Sequence, residues 1–415
     1  MAGGTNAITP VLEMATSTST FDADSAIQPP PFTSTSLSSP PVVAASRTTT
    51  NLMLATSGST SPQQLNILTG FVPAELNQIY FERIHPAIPL LHQNHYLSWS
   101  DKPGKKTSQR CLQLAMWTLA ALHSAQYRYV QESLYINCTQ MLTAICASNS
   151  GDNPFDKEQI QAWLLITIYE VMLSLHRQAW MSLGRAFRLV QLLRLHELDD
   201  ASRVVPASVD FVEREEQRRA FWLAYFLDHL FMINGNWLIT LSELVVCTRL
   251  PASEDDFQNE RPVLGSFLSE AITEQQPRYP SPFNEAIIFA TLCGRRLFYS
   301  QQRRVRSAYG DTPSDMMEST KVLDELLDKR LMTLMQYYPP PNEASDPMNH
   351  FVNTMAQSSI IYASTGVGLL LVVDEGHALH AEYELRATSA AEQMIQLASM
   401  LTNSFVFKVS VHENR

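Results

Sequence analysis

The chain has 415 residues, of which 45% are apolar, enough for one or two ordinary domains with a sizeable core. Its formal charge of −11 excludes a surface that grips phosphate backbones along its whole length, since that needs clustered Lys and Arg. An acidic body working beside a separate basic DNA-binding module stays open. The cysteines Cys111, Cys138, Cys146, Cys247 and Cys293 are odd in number and show no C-x-x-C spacing. With no basic start followed by an apolar run, they read as buried thiols of a reducing compartment.

In chain order, residues 1–65 are dense in Ser, Thr and Pro, with Phe21 and Phe32 their only aromatics. Such a stretch buries too little apolar surface to offset its ordering entropy, so it reads as a disordered, linker-like tail. From Phe71 onward the pattern is helix after helix. A first helix spans about Glu75 to Arg83 and stops near His85, because Pro86 and Pro89 fix φ and remove donors. Arg110 to Tyr127 and Gln131 to Ser148 read as a helical hairpin. Asp156 and Gln159 have capping-box spacing and open a helix to about Leu175, with Ile160, Leu164, Thr167, Ile168, Val171 and Leu175 as one apolar stripe. Ala179 to Leu195 follows, with Gly184 read as a point of close backbone approach.

Asp210 and Glu213 give a second capping box before a charged turn and an apolar helix, Phe221 to Ile233. A break at Gly235-Asn236 and a turn at Pro251 lead into an acidic loop holding Asp255, Asp256 and Glu260. Ser281-Pro282 opens a helix to about Ser307. Thr312-Pro313 opens another to Tyr337, and Asp346-Pro347 a third to Val373. The apolar run Ile360 to Val373 is broken by Ser364, Thr365 and Gly366, too short and polar for a membrane span. Arg386 to Leu401 is the last clear helix. Nothing alternates with period two for long enough to demand a sheet. The expected fold is all-α, a multi-helix bundle of antiparallel helices behind the disordered tail.

Three segments resemble one known family. The acidic-x-x-Arg-Arg-x-Phe-Trp stretch carries Glu215, Arg218, Arg219, Phe221 and Trp222, then Leu227, Asp228, Gly235, Leu250 and Pro251. Upstream, Phe81, His85, Pro86, Pro89, Leu91 and His92 match an aromatic-x-x-x-His-Pro-x-x-Pro-x-Leu-His opening. Gly184, Ala186, Arg188, Leu193, Leu195 and His196 match the middle signature. Together they resemble the fungus-specific transcription factor domain, the regulatory region that follows binuclear six-cysteine zinc clusters in fungal regulators. His229 departs from the family's usual Arg, and Trp237 from its frequent Pro. The run from Cys247 to Pro262 also resembles regulators of fungal polyketide clusters.

The resemblance implies a helical regulatory domain over residues 70–402, with a short tail at 403–415. It implies a nuclear regulator of RNA polymerase II transcription that acts on a secondary-metabolite gene cluster. Its expected partners are other transcription regulators or the transcription machinery, and a small-molecule metabolite. Promoter DNA would be reached indirectly or through an N-terminal module outside this sequence, and zinc is expected only in that module. The chain's start within the linker-like tail and its end soon after Leu401 read as short for the family. A co-regulator or scaffold without DNA binding of its own is the alternative, and an enzyme with a helical cavity a further one.

The residues give the enzyme reading little. His85, His92 and His95 lie close in sequence, but prolines separate the first pair and no helix puts all three on one face, so a hydrogen-bonded structural role for His85 is preferred over a metal. Asp255-Asp256 with Glu260 lies between Pro251 and Pro262 and reads as a solvated loop, not a magnesium motif. Lys102, Lys105, Lys106 and Arg110 form one basic cluster. Arg295, Arg296, Arg303, Arg304 and Arg306 form another, read as a solvated helix face, with Arg303, Arg304 and Arg306 as a nuclear-import candidate. The Arg218-Arg219 pair is expected to bridge to Asp228 or Glu243. No catalytic or cofactor-binding residue is assigned, and no membrane contact.

Overall fold

The computed structural model describes residues 71–147, 155–202, 210–235, 238–310, 315–338, 340–342, 346–365 and 376–403. They belong to one compact unit, Ser61–Arg415. The Ser/Thr/Pro-rich tail and all but the first residue of the expected C-terminal tail lie outside them, as does Trp237. Among the described residues there are thirteen α-helices and no strand, so the all-α reading holds.

Helix α1 (Phe71–Ile79) widens into a single π-helical turn, Tyr80–Ile84, which closes on a bond from the His85 amide to the Tyr80 carbonyl of 2.9 Å. Pro86 cannot continue it. After α2 (Gln93–Ser100) come α3 (Thr107–Leu122) and α4 (Gln131–Ala147), the expected hairpin. Helix α5 (Lys157–Met172) is capped by Asp156, whose carboxylate accepts from the Gln159 amide at 3.3 Å and from the Ser108 hydroxyl at 2.6 Å. Helix α6 is His176–Leu192 and α7 is Phe211–Gly235.

One expectation fails at α5. The pattern gave a single apolar stripe, yet every residue from Lys157 to Thr167 is buried. Helices α3, α6 and α7 all pack on it, so its polar residues are enclosed too. With α3, buried throughout from Cys111 to Leu122, it forms the centre of the body. A helix buried all round has no polar face for periodicity to report.

Two short helices sit in the stretch after α7: α8 (Glu254–Gln258) and α9 (Leu268–Thr273). Helix α10 (Pro282–Ala308) starts at the expected Ser281-Pro282 and packs on α7, α11 (Asp315–Tyr337) and α12 (Pro347–Thr365). Helix α13 (Gly376–Asn403) packs on α12 and begins ten residues before the expected Arg386. One cluster of buried apolar side chains runs from Leu76 on α1 to Ala363 on α12.

Phe289 lies in the first third of α10 and is fully buried. Phe289→Ala is expected to lower unfolding free energy by about 3–5 kcal/mol in a urea titration. A loss below about 1 kcal/mol would place that face of α10 at the surface.

Candidate functional site

The first turns of α7 carry the densest chemistry of the molecule. Glu215 is fully buried; its Oε2 accepts from Arg218 Nη1 at 2.6 Å, and its Oε1 from Arg219 Nε at 3.2 Å and the Ala252 amide at 2.9 Å. Arg218 Nη2 donates to both oxygens of Asp199, at 2.9 and 3.1 Å. Asp199 Oδ2 also accepts the Arg249 amide at 2.8 Å. Arg219 Nη1 donates to the Pro89 carbonyl at 2.7 Å and to Glu254 Oε2 at 2.5 Å, while Nη2 donates to the Ala252 carbonyl at 2.9 Å. Its guanidinium lies over the Phe257 ring, 4.0 Å from the centroid. Glu254 Oε1 pairs with His85 Nε2 at 2.7 Å. One turn on, Trp222 Nε1 donates to the Arg249 carbonyl at 2.6 Å.

The side chains of a single helix thus hold segments 85–92, 195–199 and 247–258. Burial raises the cost of the Glu254 charge, but Arg219 and His85 outweigh it and hold its carboxyl near 2. Burial disfavours Arg218 in the same way, and Glu215 with Asp199 more than compensate, so its guanidinium stays charged.

On the neighbouring face of α7, Lys157 sits among Glu158 at 3.3 Å, Glu216 at 3.4 Å and Glu213. Glu216 accepts from His95 Nδ1 at 3.0 Å and from the His92 amide at 3.1 Å. His95, Glu213 and Glu216 bring their ligand atoms within 4.8 Å of one another, a spacing suited to a metal. The Lys157 ammonium already supplies the positive charge there.

At the other end of α7 lies a cavity of about 1100 Å³ between α7, α10 and α11. Its walls include Leu238, Val246, Phe298 and Leu326, with Glu243 and Arg295 among its polar groups. Arg295 Nε and Nη2 donate to the two oxygens of Glu243, each at 2.8 Å. His229 lines it as well. Burial pushes the His229 imidazole down to about 4, so it is neutral near pH 7. Its Nδ1 donates to the Tyr225 carbonyl at 2.8 Å, and its ring stacks on Tyr225 with centroids 4.1 Å apart.

The fungal specific transcription factor domain matches residues 78–326, more than half of the chain. The chain belongs to that family. It is 70% identical over 347 residues to the ascochitine biosynthesis cluster transcriptional regulator of Didymella fabae, covering 83% of this chain and 61% of that protein. It is 50% identical to the citrinin biosynthesis transcriptional activator of Monascus ruber, covering 82% of this chain and 67% of the relative. Against the pigment biosynthesis transcriptional activator of the same fungus, identity is 38%, covering 80% of this chain and 61% of the relative. The chain therefore spans about three fifths to two thirds of the length of these relatives. No solved structure matches it.

The family motifs do not all meet at one place. His85, Pro89, Arg218 and Arg219 share the ionic core, while Pro86 is half-buried beside it. Phe221 and Trp222 are fully buried, and Pro251 is buried with its carbonyl accepting from Asn284 at 3.0 Å. His92 caps α2, its Nδ1 accepting from the His95 amide at 3.1 Å. His196 joins the assembly through its carbonyl, which accepts the Cys247 amide at 2.7 Å. Arg188 is exposed and, among the described residues, reaches only Gln191 on its own helix. Gly235 is the last residue of α7.

Several expectations are corrected. The Arg pair bridges to neither Asp228 nor Glu243. Asp228 Oδ2 accepts the Thr240 and Leu241 amides, both at 2.7 Å, and Glu243 is taken by Arg295. The acidic loop is in part helix α8, because Ser253 caps it, accepting from the Asp256 amide at 3.1 Å, and Arg261 neutralises Asp255 and Asp256. Gly184 makes no close approach, since a Cβ there would meet nothing within 4 Å. Glu213 accepts from the Lys157 ammonium. Cys146 and Cys247 are exposed, while the other three thiols are buried. Arg295 and Arg296 are not a solvated face: they pair with Glu243 and Asp324. Lys105 and Arg110 of the earlier basic cluster both donate to Gln113, at 3.2 and 3.0 Å.

Sequence reading missed Asp199, Glu254 and Lys157 as partners. Only Glu254 left a readable signal, as the residue after a Ser placed to cap a helix.

Arg219→Met removes the shared cation and leaves Arg218 to neutralise both Glu215 and Asp199. It is expected to cost about 3–5 kcal/mol in urea unfolding, and a neutral effect would show the network to be incidental. Asp228 gives a pH test. Burial raises its carboxyl to about 6 despite the two amide bonds. Its contribution therefore favours the folded state at low pH and is lost as pH rises through about 6. Asp228→Asn keeps an acceptor oxygen and removes the charge, so it should gain up to about 2 kcal/mol on the native protein between pH 4 and 7.5. A difference that stays flat over that range would contradict the burial account.

Proposed function

We propose that the chain is the helical regulatory part of a nuclear transcription regulator that controls a fungal secondary-metabolite gene cluster. The observation that carries this is the joining of the family's opening motif and its Leu-Pro segment to one buried turn of α7. The sequence likeness to relatives named as regulators of ascochitine, citrinin and pigment biosynthesis supports the cluster assignment. We read the body as a controlling element and not as an enzyme, because its buried charges are tied up in ion pairs that hold segments together.

On this reading promoter DNA is reached through a zinc-cluster module or a DNA-binding partner, and other transcription regulators or the transcription machinery bind the whole protein. Zinc belongs to that module, and the helical body takes none. No described helix is long and apolar enough to cross a membrane. Deleting the gene and comparing transcripts genome-wide is expected to lower the messages of one contiguous set of biosynthetic genes. An unchanged transcriptome would overturn the reading.

Nuclear entry is assigned to the end of α10. Arg304 and Arg306 are exposed and Arg303 is half-buried, and none of the three forms an ion pair among the described residues. Changing all three to Gln should shift a fluorescently tagged protein from the nucleus to the cytoplasm. An undiminished nuclear signal would remove these arginines from the import role.

A further inference from the structure

We propose that the cavity between α7, α10 and α11 binds a neutral, ring-bearing apolar molecule that carries a phenolic hydroxyl, and that the hydroxyl donates to His229 Nε2. This claim concerns binding alone and stands apart from the transcriptional reading.

The argument begins with an unmet acceptor. His229 is 2% exposed. A carbonyl cannot donate, so the bond to the Tyr225 carbonyl puts the proton on Nδ1. Nε2 is then a lone-pair acceptor, and it has no hydrogen-bond partner among the described residues. Since His229 lines the cavity, this acceptor is available to a molecule held there. The backbone of α10 approaches one side of the ring closely, which only glycine permits. A Cβ at Gly294 would stand 2.9 Å from Nε2 and 2.7 Å from Cδ2 of the same ring. With glycine at that position of α10, no side chain there reaches over the imidazole.

The rest of the cavity sets the class of ligand. Its walls are mostly apolar, and its charges, Glu243 and Arg295, cancel in a two-bond pair. A net-neutral site disfavours an ionised ligand, which would leave water without a counter-charge. The volume of about 1100 Å³ lies at the upper end of small-molecule sites, so a body of several rings fits. Phe298 and Tyr299 offer aromatic faces and edges to such rings. A phenol is a stronger donor than an aliphatic alcohol, which suits a neutral imidazole acceptor. Arg295 Nη1 has no partner among the described residues and can donate to a ligand carbonyl. The arrangement has the mark of a binding site, an apolar recess with a few converging polar groups.

The test uses the whole chain and three simple probes in titration calorimetry: 2-naphthol, 2-methoxynaphthalene and naphthalene-2-sulfonate. The naphthol should bind about tenfold more tightly than its methyl ether, which lacks the donor, and more tightly than the sulfonate. His229→Leu should erase the preference over the ether. Val322→Trp fills the cavity from a half-exposed position on α11 and should abolish binding of all three while leaving the melting temperature close to native. Naphthol binding that survives Val322→Trp would place the ligand elsewhere. Equal binding of naphthol and ether to the native chain would overturn the role of His229, and a tighter sulfonate would overturn the neutral class. No detectable naphthol binding would overturn the proposal.

Discussion

A single guanidinium fixes the architecture around it. Arg219 is nearly inaccessible, yet it meets two carboxylates and the carbonyls of Pro89 and Ala252, and it covers the ring of Phe257. Removing a charge from water costs several kcal/mol unless it is paired and its donors are used. Arg219 spreads that compensation over three stretches of chain far apart in sequence. A lysine would bring one point of charge and no planar fork, and it could not serve the carbonyls and both carboxylates at once.

The same few turns of α7 perform two tasks at different heights. Glu213, Glu215, Glu216, Arg218 and Arg219 crowd the first turns, where helical spacing sends Glu213 and Glu216 toward Lys157 and Glu215 toward the arginines. Beyond them come Phe221, Trp222 and Tyr225, whose rings meet at 5.0 to 6.3 Å and carry the apolar packing. The ionic turns set which segments meet, and the aromatic turns supply burial. Splitting these roles along one rod explains how so many buried charges sit beside fully buried rings.

Much of this was legible in sequence. The helix starts at Asp156 and at Ser281-Pro282 followed from capping chemistry, and the Arg-Arg-x-Phe-Trp rod from its apolar spacing. Other features failed for physical reasons. Helix α5 is enclosed by its neighbours α3, α4, α6 and α7, so its stripe of apolar residues understated its burial. The partners of Arg218 and Arg219 were sought further along α7 and in the next segment, at Asp228 and Glu243. Ion-pair partners are set by tertiary approach, which brings in Asp199 from a turn and Glu254 from the start of α8. Gly184 looked like a contact point because glycine in a helix invites that reading, yet its Cβ position is open. The glycines that matter are Gly265, where a Cβ would lie 2.2 Å from the Leu250 carbonyl, and Gly294, against His229.

That last glycine ties the two ends of α7 together. His229 lies ten residues, or about 15 Å, along the helix from Arg219. Between them the helix is continuous and held by Trp222 and Tyr225. At Gly294 α10 packs on His229, while the first turns of the same helix as His229 clasp segments 85–92 and 247–258. The cavity takes a wall from α7 at His229 and walls from α10, so one rod carries a cavity wall at one end and the ionic clasp at the other.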